Sequence, residues 1–380
     1  MMTPPAPLPL YVLTGFLGAG KTTLLNQLLH DPAMAGTLVI INEFGDVGLD
    51  HLFLDVKDET PVLLASGCLC CTVRGELVST LEDMLRDLDN KRIPPFERVM
   101  IETTGLADPA PVLQSVLGHP YLSRRYRVQG VITLIDAVNG LATLAAHEEA
   151  YKQAAMADLL VISKTDLLAD NPSTHAELVA RLHRLNPFAP LLDAAQGEAR
   201  AQALLSLQGF VTQGKDHDVT HWLEDDAHHE HAHPHHDHAH GHEHHDHSAH
   251  SHDKNRHNAH IRSFALTSDQ PIRTSALEMF IDLLRSAHGP NLLRLKGLVC
   301  VAEDLSRPIL LHGVQHVFHP PERLPHWPDA DHRTRLVFIT KDLDEHFVRS
   351  LWNVLTGTPQ IDQADAQALS DNPLSLRHPR

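Results

Sequence analysis

The sequence predicts an α/β fold: a parallel sheet with helices on both faces, followed by a small α+β domain. Three observations predict it. Over roughly the first 210 residues, short apolar runs alternate with stretches of helical period, as expected of parallel strands joined by crossover helices. A glycine-rich segment ending in lysine stands where the first apolar run gives way to the first helical stretch. Composition then breaks between His217 and His260, and strand and helix patterns resume beyond it.

In the first unit, strands are expected over 10–14, 38–42, 61–65, 98–102, 128–136, 159–163 and 190–193. Each is a short apolar run, the form taken by strands buried on both faces. Helices are expected over 21–29, 74–88, 110–117, 146–155 and 173–185, where apolar positions recur at three to four residues. After the break, strands are expected over 261–267, 293–301, 309–317 and 336–340, and amphipathic helices over 275–287 and 343–355. The organisation is thus a nucleotide-type domain over 1–215, a linker over 216–260, a small domain over 261–357, and a polar tail over 358–380.

Composition sets limits on function. A chain of 380 residues with 42 % apolar residues can bury two cores. The formal charge of −17 disfavours a nucleic-acid partner, which requires a basic face. That charge counts 32 histidines as neutral, and it shrinks as they protonate below neutral pH. The N-terminus has no basic leader, and the apolar run over 8–17 is too short to span a bilayer. A cytoplasmic location without membrane contact is expected. Of the four cysteines, three (Cys68, Cys70 and Cys71) lie within four residues. That spacing suits metal or redox chemistry better than a disulfide framework.

Gly15-Phe16-Leu17-Gly18-Ala19-Gly20-Lys21-Thr22 fits G-x-x-x-x-G-K-[ST] between a strand and a helix, the context of a P-loop NTPase. Backbone amides of Gly15, Gly18, Ala19 and Gly20 are expected to cradle phosphate, aided by the helix dipole. Lys21 reaches the β- and γ-phosphates, the Thr22 hydroxyl ligates Mg²⁺, and Thr23 completes the segment. Ile101-Glu102-Thr103-Thr104-Gly105 ends a buried strand. The Glu102 carboxylate can face the Mg²⁺ shell, and the Gly105 amide can meet the γ-phosphate. Lys21, Thr22 and Glu102 are the candidate catalytic residues. Ser163-Lys164-Thr165-Asp166 fits [NST]-K-x-D. The Asp166 carboxylate can accept from N1 and N2 of guanine, which adenine cannot offer; the alternative is a helix N-cap.

Gly67-Cys68-Leu69-Cys70-Cys71 lies between these motifs. Thiolates are soft ligands for zinc or copper(I), and three of them leave a fourth position open for transfer. Buried small residues and a redox pair are the alternatives. The 44 residues from His217 to His260 hold 18 histidines and almost no large apolar residue. They cannot form a core and read as a disordered linker. His229, His231, His233, His235, His236, His238, His240, His242, His244 and His245 form overlapping H-x-H and HH pairs suited to zinc, nickel or cobalt. An inert solvated linker is the other reading.

Taken together, GFLGAGKTT over 15–23, NEFG over 42–45, CLCC over 68–71, ETTGLADP over 102–109 and SKTD over 163–166 resemble the CobW-type metallochaperone GTPases. Those proteins are related to the nickel-handling HypB and UreG proteins. The likeness continues at Asn186-Pro187, Lys296-Gly297 and His312-Gly313-Val314. It implies a GTPase domain with a small CobW C-terminal domain, slow GTP hydrolysis, and metal held by the thiols near the nucleotide switches. Residues 42–46 then belong to the first switch. Some relatives carry a metal-binding carboxylate just before the Asn; Ile41 stands there, so Glu43 and Asp46 take its place as candidates. His119 is a further candidate that can approach metal in one switch state.

The functional expectation is a GTPase of low intrinsic turnover that delivers a transition metal, zinc first, to client proteins not identifiable from the sequence. Low turnover is expected because Leu106 stands where Ras-like enzymes place a water-orienting Gln. Cobalt and nickel remain candidate metals. A metal buffer or sensor with regulatory nucleotide, and cobalt delivery for cobalamin synthesis, are the competing functions.

Overall fold

The computed structural model describes residues 5–43, 62–66, 73–168, 171–207, 261–319 and 321–357. The thiols, Asp46 and the histidine tract lie outside these residues. The N-terminal unit is a seven-stranded sheet of β1 (Leu8–Gly15), β2 (Thr37–Glu43), β3 (Val62–Ser66), β4 (Arg98–Glu102), β5 (Tyr126–Asp136), β6 (Leu159–Ser163) and β7 (Leu191–Asp193). Their spatial order is β3-β2-β4-β1-β5-β6-β7, and every pairing is parallel. The helices are α1 (Lys21–Leu29), α2 (Val73–Asp89), α3 (Ala110–Leu117), α4 (Leu122–Arg125), α5 (Gly140–Ala146), α6 (Glu148–Ala155), α7 (Pro172–Leu185) and α8 (Ala201–Leu205).

Both faces of this sheet are covered, which is why its strands are uniformly apolar. Successive side chains point to opposite faces. Leu10 and Val12 of β1 join Leu38, Ile40, Val99 and Ile101 in a core closed by α2 and α3. Tyr11 and Leu13 join Val39, Ile41 and Met100 in a second core closed by α1 and α8. A side chain such as Leu13, with no exposed surface, contributes about 1.5–3 kcal/mol by burial. The chain crosses from β4 on one side of β1 to β5 on the other. The crevice at the carboxyl ends of these strands is therefore the ligand position that the topology favours.

The second sheet runs β11 (Val317–Phe318), β10 (Asp304–Val314), β9 (Leu292–Val301), β13 (Thr334–Lys341) and β8 (Ile261–Ser268), with β12 (Glu322–Arg323) beside β10. All its strand pairings are antiparallel. One face packs on α9 (Thr274–His288) and α10 (Glu345–Thr356) through Phe280, Phe338 and Trp352. The other face meets the nucleotide domain. Ile261, Leu293 and Ile339 share a core with Ala150, Ala154 and Ala155 of α6, and Val314 joins the α2–α3 core.

Two expected elements are divided. The helix expected over 146–155 is α6 alone, preceded by α5 and separated from it at His147, whose backbone is extended (φ −126, ψ 118). The His147 ring stacks on Phe16 at 4.6 Å, and that contact favours a break over a continuous helix. The strand expected over 309–317 turns after Val314, where Gln315 has φ 54, and returns as β11. Apolar periodicity spans such a turn without marking it. The short elements α4, α8, β11 and β12 have no sequence signal of their own, being only two to five residues long.

Candidate nucleotide and metal site

The phosphate loop leaves β1 through Gly15. Its φ of +144 disfavours other residues, and a Cβ there would lie 2.5 Å from the Leu134 carbonyl oxygen. The loop then enters α1 at Lys21, whose side chain is buried. Lys21 Nζ donates to the carbonyls of Gly15 at 2.9 Å and Phe16 at 3.4 Å, so the ammonium lies along the inner wall of the loop. Gly18 and Gly20 also have positive φ, and Ala19 is buried. Thr23 points outward and is exposed.

β4 lies directly beside β1, with Leu13 paired to Glu102. This register brings Thr22 Oγ1 to donate to Glu102 Oε1 at 2.9 Å. The hydroxyl–carboxylate pair is a set of hard oxygen donors next to the phosphate loop and fits Mg²⁺. Bound there, Mg²⁺ would neutralise phosphate charge. Beyond Glu102 the chain stays pressed against the loop. Thr103 N donates to Leu13 O at 2.9 Å, and Thr103 Oγ1 donates to Thr14 Oγ1 at 2.8 Å. A Cβ on Gly105 would lie 2.6 Å from the Leu17 amide nitrogen, so only glycine permits this approach. Leu17, which packs against Gly105, and Leu106, the next residue, are both exposed.

The base motif joins this centre through Ser163, whose Oγ donates to the Ala19 carbonyl at 2.7 Å. Lys164 adopts φ 61, and its Nζ bonds Asp136 Oδ2 at 2.8 Å. Burial pushes the Asp136 carboxyl up, but hydrogen bonds from Lys164, Asn139 and Val138 outweigh it and hold the group below the usual range. Asp166 lies in the short turn Thr165–Leu168, exposed, with no hydrogen bond among the described residues. A capping carboxylate would accept from a nearby amide, so Asp166 does not act as an N-cap.

Sequence reasoning missed three residues here. Asp136 and Asp193 end β5 and β7 and brace the base motif; Thr165 Oγ1 donates to Asp193 Oδ1 at 2.7 Å. An acidic residue at a strand end was the available signal. Gln153 is fully buried and donates from Nε2 to the carbonyls of Gly105 at 3.2 Å and Ala107 at 2.8 Å. Nothing in a polar residue on an amphipathic helix announces that role.

The metal candidates fare differently. Glu43 ends β2 beside Ser66 of β3. Cys68, Cys70, Cys71, Asp46 and the ten named histidines lie outside the described residues. Ile41 is buried in the core closed by α1, so that position serves packing. His119 follows the C-terminal end of α3. Its Nδ1 accepts from Leu122 N at 3.3 Å, and its Nε2 lies 3.6 Å from Glu82 Oε1. Among the described residues no group of three His, Cys, Asp or Glu side chains could hold a metal ion.

Comparison with known proteins agrees with this geometry. Residues 9–193 match the family model for the CobW/HypB/UreG nucleotide-binding domain. Residues 261–356 match that for the cobalamin synthesis protein cobW C-terminal domain. The zinc chaperone YjiA of Escherichia coli is 31 % identical over 347 residues, covering 90 % of this chain and 97 % of that protein. The zinc chaperone CobW of Pseudomonas aeruginosa is 30 % identical over 376 residues, covering 90 % and 89 %. The crystal structure of Zn(II)-bound YjiA GTPase superposes with a TM-score of 0.63 at 27 % identity, covering 92 % of this chain and 99 % of that one. With both domains matched and the phosphate loop, strand-end carboxylate and base motif gathered at one sheet edge, the chain belongs to the CobW/HypB/UreG family of P-loop GTPases.

Proposed function

We propose that this chain is a metallochaperone GTPase whose bound nucleotide controls zinc held by Cys68, Cys70 and Cys71, for delivery to a client metalloprotein. One observation carries the reading. The segment bearing the thiols joins β3 to α2, and Ser66, the last residue of β3, pairs with Glu43 of β2 at the carboxyl edge of the sheet. That edge also carries the phosphate loop. β3 stands three strands from β1, about 14 Å at ordinary strand spacing. A γ-phosphate that orders residues 42–46 and 102–105 then acts on β2, which pairs with β4 on one side and with β3, the strand leading into the thiols, on the other. The coupling is reciprocal, so nucleotide and metal alter each other's affinity.

The metal is cargo here, and Mg²⁺ is the cofactor of the phosphate site. Leu106, half exposed and apolar, has no atom to orient water, which supports slow intrinsic turnover. No helix among the described residues is long and apolar enough to cross a membrane; a cytoplasmic setting is part of this proposal. Two experiments test the reading. Zinc titrations of the full chain should give affinities differing about tenfold between GTP and GDP, within the usual span of allosteric coupling. Cys70→Ala should weaken zinc binding and remove that difference. Equal affinities in the two nucleotide states would end the switch argument. Deleting 228–252 should lower the number of zinc ions bound and leave GTP affinity unchanged, because the phosphate and base motifs lie elsewhere. Unchanged stoichiometry would make the tract a spacer.

A further inference from the structure

Helix α6 touches the C-terminal domain along its length and also grips the nucleotide machinery. On the nucleotide side it makes two contacts. His147, just before its first turn, stacks on Phe16 of the phosphate loop. Gln153, with no exposed surface, gives both amide hydrogens to the Gly105 and Ala107 carbonyls. Those carbonyls belong to the segment that follows Glu102 and packs on Leu17. Thr133 Oγ1 fixes the same turn of the helix by donating to the Gln153 carbonyl at 2.9 Å.

On the other side, the C-terminal domain holds α6 at both ends. Lys341 Nζ meets Glu148 Oε1 at 2.6 Å in the first turn. Arg294 Nη1 donates to the Met156 carbonyl just past the last turn, and Arg294 Nη2 bonds Asp158 at 2.5 Å. Between these ends, Ala150, Ala154 and Ala155 pack in one core with Ile261, Leu293 and Ile339. An eight-residue helix is about 12 Å long and behaves as a rigid rod. A displacement imposed at its ends therefore reaches the Gln153 amide.

We propose that Gln153 is the positioning residue of the 105–107 segment, and that α6 relays the placement of the C-terminal domain to that segment and so to GTP hydrolysis. The proposal rests on the GTPase reading above. It gives the C-terminal domain a direct effect on turnover without contact with nucleotide. A partner that shifts this domain alters hydrolysis by moving two carbonyls.

The test compares wild type, Gln153→Met, Lys341→Met and the double variant, all as full chains. Methionine keeps the volume of glutamine and removes both donors. Gln153→Met should slow single-turnover GTP hydrolysis about tenfold and leave GTP affinity within about twofold, since misplacement acts on the transition state more than on binding. Lys341→Met should slow hydrolysis about threefold, the scale of an exposed ion pair, but should have no further effect on Gln153→Met, because coupled sites are not additive. Equal Lys341→Met effects in both backgrounds would overturn the relay. So would a Gln153→Met variant that loses rate and affinity in proportion. Lys341→Met alone gives an independent readout that spares the buried site. Hydrogen exchange of a peptide spanning 103–108 should accelerate about threefold, and unchanged exchange would overturn the proposal. A wild-type chain that binds GTP but never hydrolyses it would instead sink the functional reading, and the relay with it.

Discussion

Replacing Lys21 by alanine is expected to slow single-turnover GTP hydrolysis by about 10²–10³-fold, the usual cost of removing one preorganised charge from a phosphoryl-transfer site. The ammonium is buried, so water does not screen it. It is also held in place by the Gly15 and Phe16 carbonyls, so little reorganisation is needed when phosphate charge develops. Alanine is the best helix former, and Lys21 is the first residue of α1, so the fold should persist. The measurement is hydrolysis at saturating GTP together with a thermal melt. A rate within tenfold of wild type, in a folded protein, would show that the cradle does not work through this lysine.

Replacing Asp158 by alanine is expected to cost about 3–5 kcal/mol of stability, the range for breaking a buried ion pair from one side. Asp158 accepts from Arg294 at 2.5 Å, Lys296 at 2.9 Å and the Val131 amide at 2.7 Å. Its removal leaves two cations in the junction between the domains, with Arg294 side-chain exposure only 5 %. Calorimetry should then show the two domains unfolding in separate transitions. Replacing Asp158, Arg294 and Lys296 together by apolar residues of similar volume should recover much of the loss. A single transition of unchanged midpoint in Asp158→Ala would show that the cluster does not hold the junction.

The same group sets an acid limit. Burial pushes the Asp158 carboxyl up, but the Arg294 and Lys296 charges outweigh it and hold it well below the ordinary range. Burial pushes the Lys296 ammonium down, and the Asp158 charge opposes that shift. A carboxyl depressed in the folded state stabilises fully above its unfolded value, near 3.9. That contribution is lost as pH falls from there toward the folded value. Stability should therefore fall below about pH 4 in wild type and depend less on pH there in Asp158→Ala. Glu148 adds to the trend: Lys341 and Lys152 hydrogen bonds bring it to about 2, but its exposure makes its contribution small.

What the sequence determined by itself is local. The phosphate loop, the strand-end Glu102 and the Ser163–Asp166 motif are each set by a few consecutive residues in a strand-to-helix or strand-to-turn context. Runs such as Leu38-Val39-Ile40-Ile41 declare strands buried on both faces, because alternate side chains enter the α2–α3 and α1–α8 cores. Tertiary structure decided everything that depends on partners distant in the chain. Asp158 and Arg294 are 136 residues apart, and neither residue's local sequence indicates that it is buried or paired. Gln153 sits on a helix whose pattern permits a solvated glutamine; only the closure of α6 over Gly105 and Ala107 makes it a buried donor. The reason is that propensity and periodicity are properties of neighbouring residues, whereas desolvation and charge pairing are properties of whatever surface the fold brings opposite.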